Sequence, residues 1–107
     1  MMRMVRKGES NHDVAVEQAP RRCGHVASAD GQKVSLTPTE FRLLAKLVAS
    51  QGSTVRRRDL VRTGWPHGAR VRDNTLDAYV ARLRRKLGDL PDTPSITTVH
   101  GVGYILE

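Results

Sequence analysis

Two stretches of this chain carry apolar residues at helical spacing. Between Thr37 and Gly52, Phe41, Leu43, Leu44, Leu47 and Val48 recur in steps of three and four, which predicts a helix with a broad buried face. Its start is written in Leu36-Thr37-Pro38-Thr39-Glu40-Phe41. Thr37 suits the N-cap, Pro38 the first helical position and Glu40 the reciprocal cap, while Leu36 and Phe41 are spaced as a hydrophobic staple. Gly52 is expected to end this helix. The second pattern runs from Asp73 to Leu87, where a step of about 100° per residue gathers Leu76, Val80, Leu83 and Leu87 into a narrow stripe with Tyr79 at its edge. A shorter helix is expected from Arg57 to about Thr63, with Leu60 and Val61 inward and Gly64-Trp65-Pro66 as its stop.

Around the helices lie short strand-prone runs. Val14 to Glu17, His25 to Ser28 and Lys33 to Leu36 read as an antiparallel meander broken at Pro20 and Gly24, with Asp30-Gly31 as a hairpin turn. Ile96 to Leu106 reads as a second hairpin. Residues 1–12 are polar and aperiodic, a disordered tail or the remnant of a linker, and residues 13–107 form one domain. The class is α+β: an N-terminal antiparallel sheet, three helices and a C-terminal hairpin.

The chemistry concentrates in the last third. Opposite the Leu76–Leu87 stripe stand Asn74, Ala78, Ala81 and Arg85, flanked by Thr75 and Arg82, a face of small residues, hydrogen-bond donors and positive charge. Such a face can enter a DNA major groove, and a basic helix followed by a hairpin is what a winged helix-turn-helix presents. Basic residues in a last turn also complement the helix dipole, with Gly88 as a left-handed cap, which accounts for part of Arg84, Arg85 and Lys86. It does not account for Arg82, further in.

Composition narrows the partners. The 107 residues carry 18 Lys and Arg against 11 acids, formally +7, a balance that favours a polyanion. A hydrophobic content of 38% suits one modest core. No long apolar run or signal peptide is present, so a membrane location is not expected and the cytoplasm is. Cys23 stands alone, and with His12, His25, His67 and His100 it has no metal-finger spacing, so neither metal nor cofactor is expected.

Arg56, Arg57 and Arg58 precede the short helix where its dipole is positive and where Ser, Thr, Asp or Asn would cap. Three like charges there need something negative nearby, and a DNA phosphate backbone would supply it; the alternative is a solvated surface run. Trp65 reads as a core plug whose indole N–H can also reach a phosphate.

Four motifs, in order, resemble one family. L-T-P-T-E-F-R-L-L from Leu36, R-R-D-L from Arg57 with the later Trp65, N-T-L-D-A-Y-V-A-R-L-R-R-K-L-G from Asn74 and I-T-T-V-H-G-V-G-Y from Ile96 are similar to the effector domain of OmpR/PhoB-type response regulators. The resemblance covers about Val14 to Glu107. It implies sequence-specific binding of double-stranded DNA and transcriptional regulation, with the third helix in the major groove and the wing tip at the neighbouring minor groove or backbone. By position it assigns DNA contact to Thr75, Tyr79, Arg82 and Arg84, with Arg82 the main base reader, and backbone or minor-groove contact to Trp65, Thr98, His100 and Tyr104. The loop Pro66, His67, Gly68, Ala69, Arg70, Val71 and Arg72 matches the segment that approaches RNA polymerase in activators of the family. Asn74, Ala81, His100 and Arg56 depart from the usual pattern, His100 replacing a permanently charged Arg.

The same resemblance implies a receiver domain ahead of the effector, and the residues before Pro38 are too few to make one. A cut effector domain and a receiverless regulator are both consistent with that; a sensor kinase would act only through the missing domain, and a tandem homodimer would form on DNA. Rival readings are a protein-interaction module, which a salt titration against duplex DNA separates, and an enzyme, for which no phosphate loop or Ser, His and acid set is visible. RNA binding is disfavoured because only 4% of residues are aromatic.

Overall fold

A computed structural model describes residues 14–18, 25–29, 31–68, 70–90 and 93–107. The tail at 1–12, Pro20, Cys23, Gly24, Asp30 and Ala69 lie outside the described residues. Strands β1 (Ala15–Gln18), β2 (His25–Ala29) and β3 (Gln32–Leu36) form an antiparallel sheet in the order β1-β2-β3. The β2–β3 register pairs Ala29 with Gln32, and Gly31 takes φ +83° between the two strands.

Helix α1 (Pro38–Ala49) begins as its sequence specifies. Thr37 Oγ1 accepts from the Glu40 N–H at 3.2 Å, and Glu40 Oε1 accepts from the Thr37 N–H at 2.9 Å. Its end differs from the expectation. The last helical residue is Ala49, Ser50 caps it by donating to the Lys46 and Leu47 carbonyls, and Gly52 instead makes the turn beyond, with φ +88° and its N–H on the Leu106 carbonyl.

That turn leads into a strand missing from the sequence reading, β4 (Thr54–Arg56), followed without a break by α2 (Arg57–Gly64). α3 (Asp73–Gly88) comes next, then β5 (Ile96–Val99) and β6 (Gly103–Leu106). The C-terminal hairpin is therefore part of a three-stranded sheet, β4-β6-β5. Gly103 permits the β4–β6 contact: a Cβ there would lie 1.9 Å from the Val55 carbonyl oxygen. Gly88 does not take up the left-handed conformation expected of it. The helix runs through it to Asp89, a right-handed cap at φ −83°.

One core joins these parts. Leu43, Leu44, Leu47 and Val48 of α1 meet Leu60 of α2, Leu76, Val80, Leu83 and Leu87 of α3, and Val16, Ala27 and Leu106 from the two sheets. α1 and α2 approach closely at Gly64, whose Cβ position lies 2.9 Å from Leu43 Cδ2. Arg42 of α1 then caps α2, donating Nε and Nη2 to the Gly64 carbonyl at 3.3 and 3.2 Å. α3 is thereby fixed with its apolar stripe inward and its polar face out.

Candidate nucleic-acid interface

On α3, Leu76, Val80, Leu83 and Leu87 are buried, whereas Asn74, Ala78, Ala81, Arg82 and Arg85 are exposed and Thr75 and Tyr79 half-buried. The outward face anticipated from periodicity is the one that reaches solvent. Tyr79 packs edge-on against Trp65 at the end of α2, with ring centroids 5.2 Å apart, and the Arg82 guanidinium lies 4.8 Å over the Tyr79 ring. Trp65 is half-buried against the core, and the stack it starts orients Arg82 along the helix surface.

The basic run of α3 divides by partner. Lys86 turns inward, donating to Glu40 Oε1 at 2.6 Å and to the Ser35 carbonyl at 2.8 Å. Glu40 is only 1% exposed and is the one charged residue buried among the described residues. Burial alone would raise its pKa, but the Lys86 ammonium, the Thr37 N–H and the more distant charge of Arg82 outweigh it and hold the carboxyl below its ordinary value. Lys86, which the sequence groups with the basic face, is thus a structural cation.

Arg84 is committed to the wing. Its Nε donates to the Ile96 carbonyl at 2.9 Å and its Nη2 to Thr98 Oγ1 at 2.8 Å, and the guanidinium lies 5.9 Å from the Tyr104 ring centroid. Thr98, assigned to DNA by resemblance, holds this arginine. Tyr104, likewise assigned, is 3% exposed, and its hydroxyl donates to Asp77 of α3. Arg57 joins them: Nη1 donates to Asp77 Oδ1 at 3.0 Å and to the Tyr104 oxygen at 3.3 Å, and its backbone N–H donates to the Val102 carbonyl. The negative group that the arginine run calls for is, at Arg57, a carboxylate of the protein itself. The Tyr104 hydroxyl, more than the opposing burial, and then Arg57 hold the Asp77 pKa below its ordinary value. Burial, reinforced by Asp77, raises that of Tyr104.

Arg56 and Arg58 point to solvent. Arg56 is the N-cap of α2 and Arg72 the N-cap of α3, and neither helix has a side-chain cap bond. Two helix N-termini with positive dipole ends therefore carry arginine in place of a capping oxygen. The wing turn puts His100 in the open, and Gly101 takes φ +77° there. In the connection between α2 and α3, Pro66, His67, Gly68, Arg70 and Arg72 are exposed and Val71 is half-buried. Asp77 and Glu40 are the participants that sequence reasoning missed as interface and anchor. Their partners lie 20 or more residues away, so spacing gives no sign of them.

A helix presenting small, polar and basic residues, braced by a second helix and bound to a β-hairpin, defines a winged helix-turn-helix. Residues 31–106 match the model of the family described as transcriptional regulatory protein, C terminal. The chain belongs to that family, the OmpR/PhoB-type effector domains. It is 40% identical over 87 residues to the transcriptional regulatory protein AfsQ1 of Streptomyces coelicolor, which covers 80% of this chain and 39% of that protein. To the phosphate regulon regulatory protein PhoB of Rhizobium meliloti it is 41% identical over 85 residues, 78% of this chain and 37% of the relative. It spans, then, under two-fifths of the length of these relatives. Among solved structures it is similar to the DNA-binding domain of CpxR from E. coli, with TM-score 0.67 and 36% identity over 92% of each chain.

Proposed function

We propose that this chain binds double-stranded DNA in a sequence-specific way and regulates transcription, as the effector part of a response regulator. The observation that carries the reading is the outward face of α3, exposed beside a wing that Arg84 and the Asp77–Tyr104 pair tie to the same helix. Similarity to the DNA-binding domain of CpxR supports it.

Within this reading Arg82 is the leading base reader, since a guanidinium can bond guanine O6 and N7 together. Asn74, Thr75, Ala78, Tyr79 and Arg85 line the groove surface around it. Arg56 and Arg58 hold phosphates beside the α2 N-terminus, and His100 touches the backbone or minor groove from the wing tip. Trp65 serves by supporting Tyr79. Arg57, Arg84, Thr98 and Tyr104 serve by positioning the wing, a role their internal partners favour over direct contact. The 66–72 connection faces RNA polymerase, and two copies bind tandem half-sites. Residues 13–107 act as one unit, in the cytoplasm with the DNA, and hydrogen bonding and charge suffice without a catalytic step. A sensor kinase reaches this unit only through a receiver domain.

Selection of bound duplexes from a random pool tests the reading, followed by titration of the recovered duplex at rising salt. A recurring half-site and a steep log-linear loss of affinity are the outcome it requires. A pool that stays random, or affinity indifferent to salt, would remove it.

A further inference from the structure

On α3, Arg82 is held differently from Arg84 and Lys86. Arg84 gives donors to the Ile96 carbonyl and Thr98, and Lys86 gives its ammonium to Glu40 and the Ser35 carbonyl. Arg82 has no hydrogen bond or ion pair among the described residues. Its guanidinium instead lies 4.8 Å over the ring of Tyr79, a neighbour on the helix surface at i,i+3 spacing. A carboxylate in that place would order the arginine by occupying its N–H fork and offsetting its charge. An aromatic face orders it and consumes no donor, so the fork stays free for a base edge.

The ring itself is fixed. Tyr79 is half-buried against the core, and Trp65 meets it edge-on, with centroids 5.2 Å apart and planes at 89°. Trp65 closes α2, its N–H donating to the Val61 carbonyl at 2.9 Å. The Tyr79 hydroxyl has no hydrogen bond among the described residues, which leaves the ring as the part of this side chain at work.

Resting on the proposed DNA-binding function, we propose that Tyr79 is a positioning residue for base discrimination, its ring pre-ordering the Arg82 guanidinium for a guanine edge. An arginine already lying on a ring has lost part of its rotamer freedom before the duplex arrives. An arginine free to swing can also recover a bond from a phosphate or a neighbouring base when its own base is wrong. One that must leave the ring to do so loses the ring contact, so the wrong base costs more. Through Trp65, α2 contributes to base selection without touching a base.

The base pair read by Arg82 is first located as the position where Arg82→Ala loses preference on the duplex recovered by selection. Parent, Tyr79→Phe and Tyr79→Leu are then titrated with that duplex and with duplexes altered at this pair and at each other pair. Tyr79→Phe, which keeps the ring, should discriminate as the parent does. Tyr79→Leu should lose about 2- to 5-fold of the discrimination at the Arg82 pair alone, the scale of one exposed cation–π contact, with the salt slope unchanged. In the Arg82→Ala background the same change should leave base preference as it is. Losses from Tyr79→Phe as large as those from Tyr79→Leu would make the hydroxyl a direct DNA contact and overturn the proposal. Losses spread evenly over all pairs, a loss that persists without Arg82, or discrimination kept by Tyr79→Leu overturn it as well. NMR of the DNA-free parent and Tyr79→Phe gives a check that needs no binding. The ring should displace the Arg82 Nε–H resonance from that of the exposed Arg85, and coincident resonances remove the positioning. If selection recovers no motif, or Arg82→Ala costs no preference at any pair, the functional reading of α3 falls and the positioning with it.

Discussion

Arg82 and Arg84 lie on one helix, and their surroundings assign them different work. Arg82 is exposed, oriented by the Tyr79 ring and directed at whatever α3 meets, while Arg84 is held by the Ile96 carbonyl and Thr98. Arg82→Ala should therefore remove the preference at one base pair, about 1–3 kcal/mol of discrimination, and leave the thermal midpoint near that of the parent. Competition between duplexes differing at single positions measures this; equal losses on every duplex would move Arg82 to the backbone. The arginine run at α2 divides in the same way. Arg56→Gln and Arg58→Gln should each lower the salt slope by roughly 0.9. Arg57→Gln should leave the slope and instead lower stability by about 0.2–1 kcal/mol, the scale of an exposed ion pair. A run of three arginines reads alike in sequence, and the difference arises only because Asp77 arrives from another helix.

At the scale of elements, the start of α1 is the most legible feature, because Thr37, Pro38 and Glu40 make a local cap whose partners are three residues apart. What the sequence hides is that Glu40 serves a second element by holding Lys86 near the end of α3. Glu40→Gln keeps an oxygen for the cap and loses the charge, and should destabilise the fold by about 1.5–3 kcal/mol at neutral pH. The folded-state pKa of Glu40 lies below the ordinary value of 4.5, so its contribution is fully present above that value and is lost as pH falls through the lower folded one. Midpoints of parent and variant should accordingly converge in acid, and a gap that stays constant with pH would show that the charge is not what matters. The wing is legible as a hairpin but not as a sheet. β4 has only three residues, too few for alternation to declare itself, and is recognised only by its pairing with β6. Nor does spacing reveal that Arg84 is the latch between α3 and β5. Arg84→Ala should speed amide exchange across Ile96–Val99 and weaken DNA binding without altering base preference; unchanged exchange would mean that the wing holds without it.

For the whole molecule, a single core does the positioning. α1 packs on α2 and α3, Arg42 closes the end of α2, and α3 is left with one face to offer. That face was legible, because a period near 3.6 separates Leu76, Val80, Leu83 and Leu87 from Asn74, Ala78, Ala81 and Arg85 without knowledge of any neighbour. The apportioning of charge was not, because Lys86, Arg84 and Arg57 acquire partners only when distant elements meet. On the proposed function, the outer face of α3 and the wing tip together meet duplex DNA. Backbone amide shifts of the labelled chain, followed by NMR as the selected duplex is added, test it most directly. The largest changes are expected at Asn74, Ala78, Ala81, Arg82 and Arg85, at His100 to Val102 in the wing turn and at Arg56 and Arg58, with Leu47 and Val48 inside α1 nearly still. Changes concentrated on β1 to β3, with α3 and the wing turn silent, would contradict it.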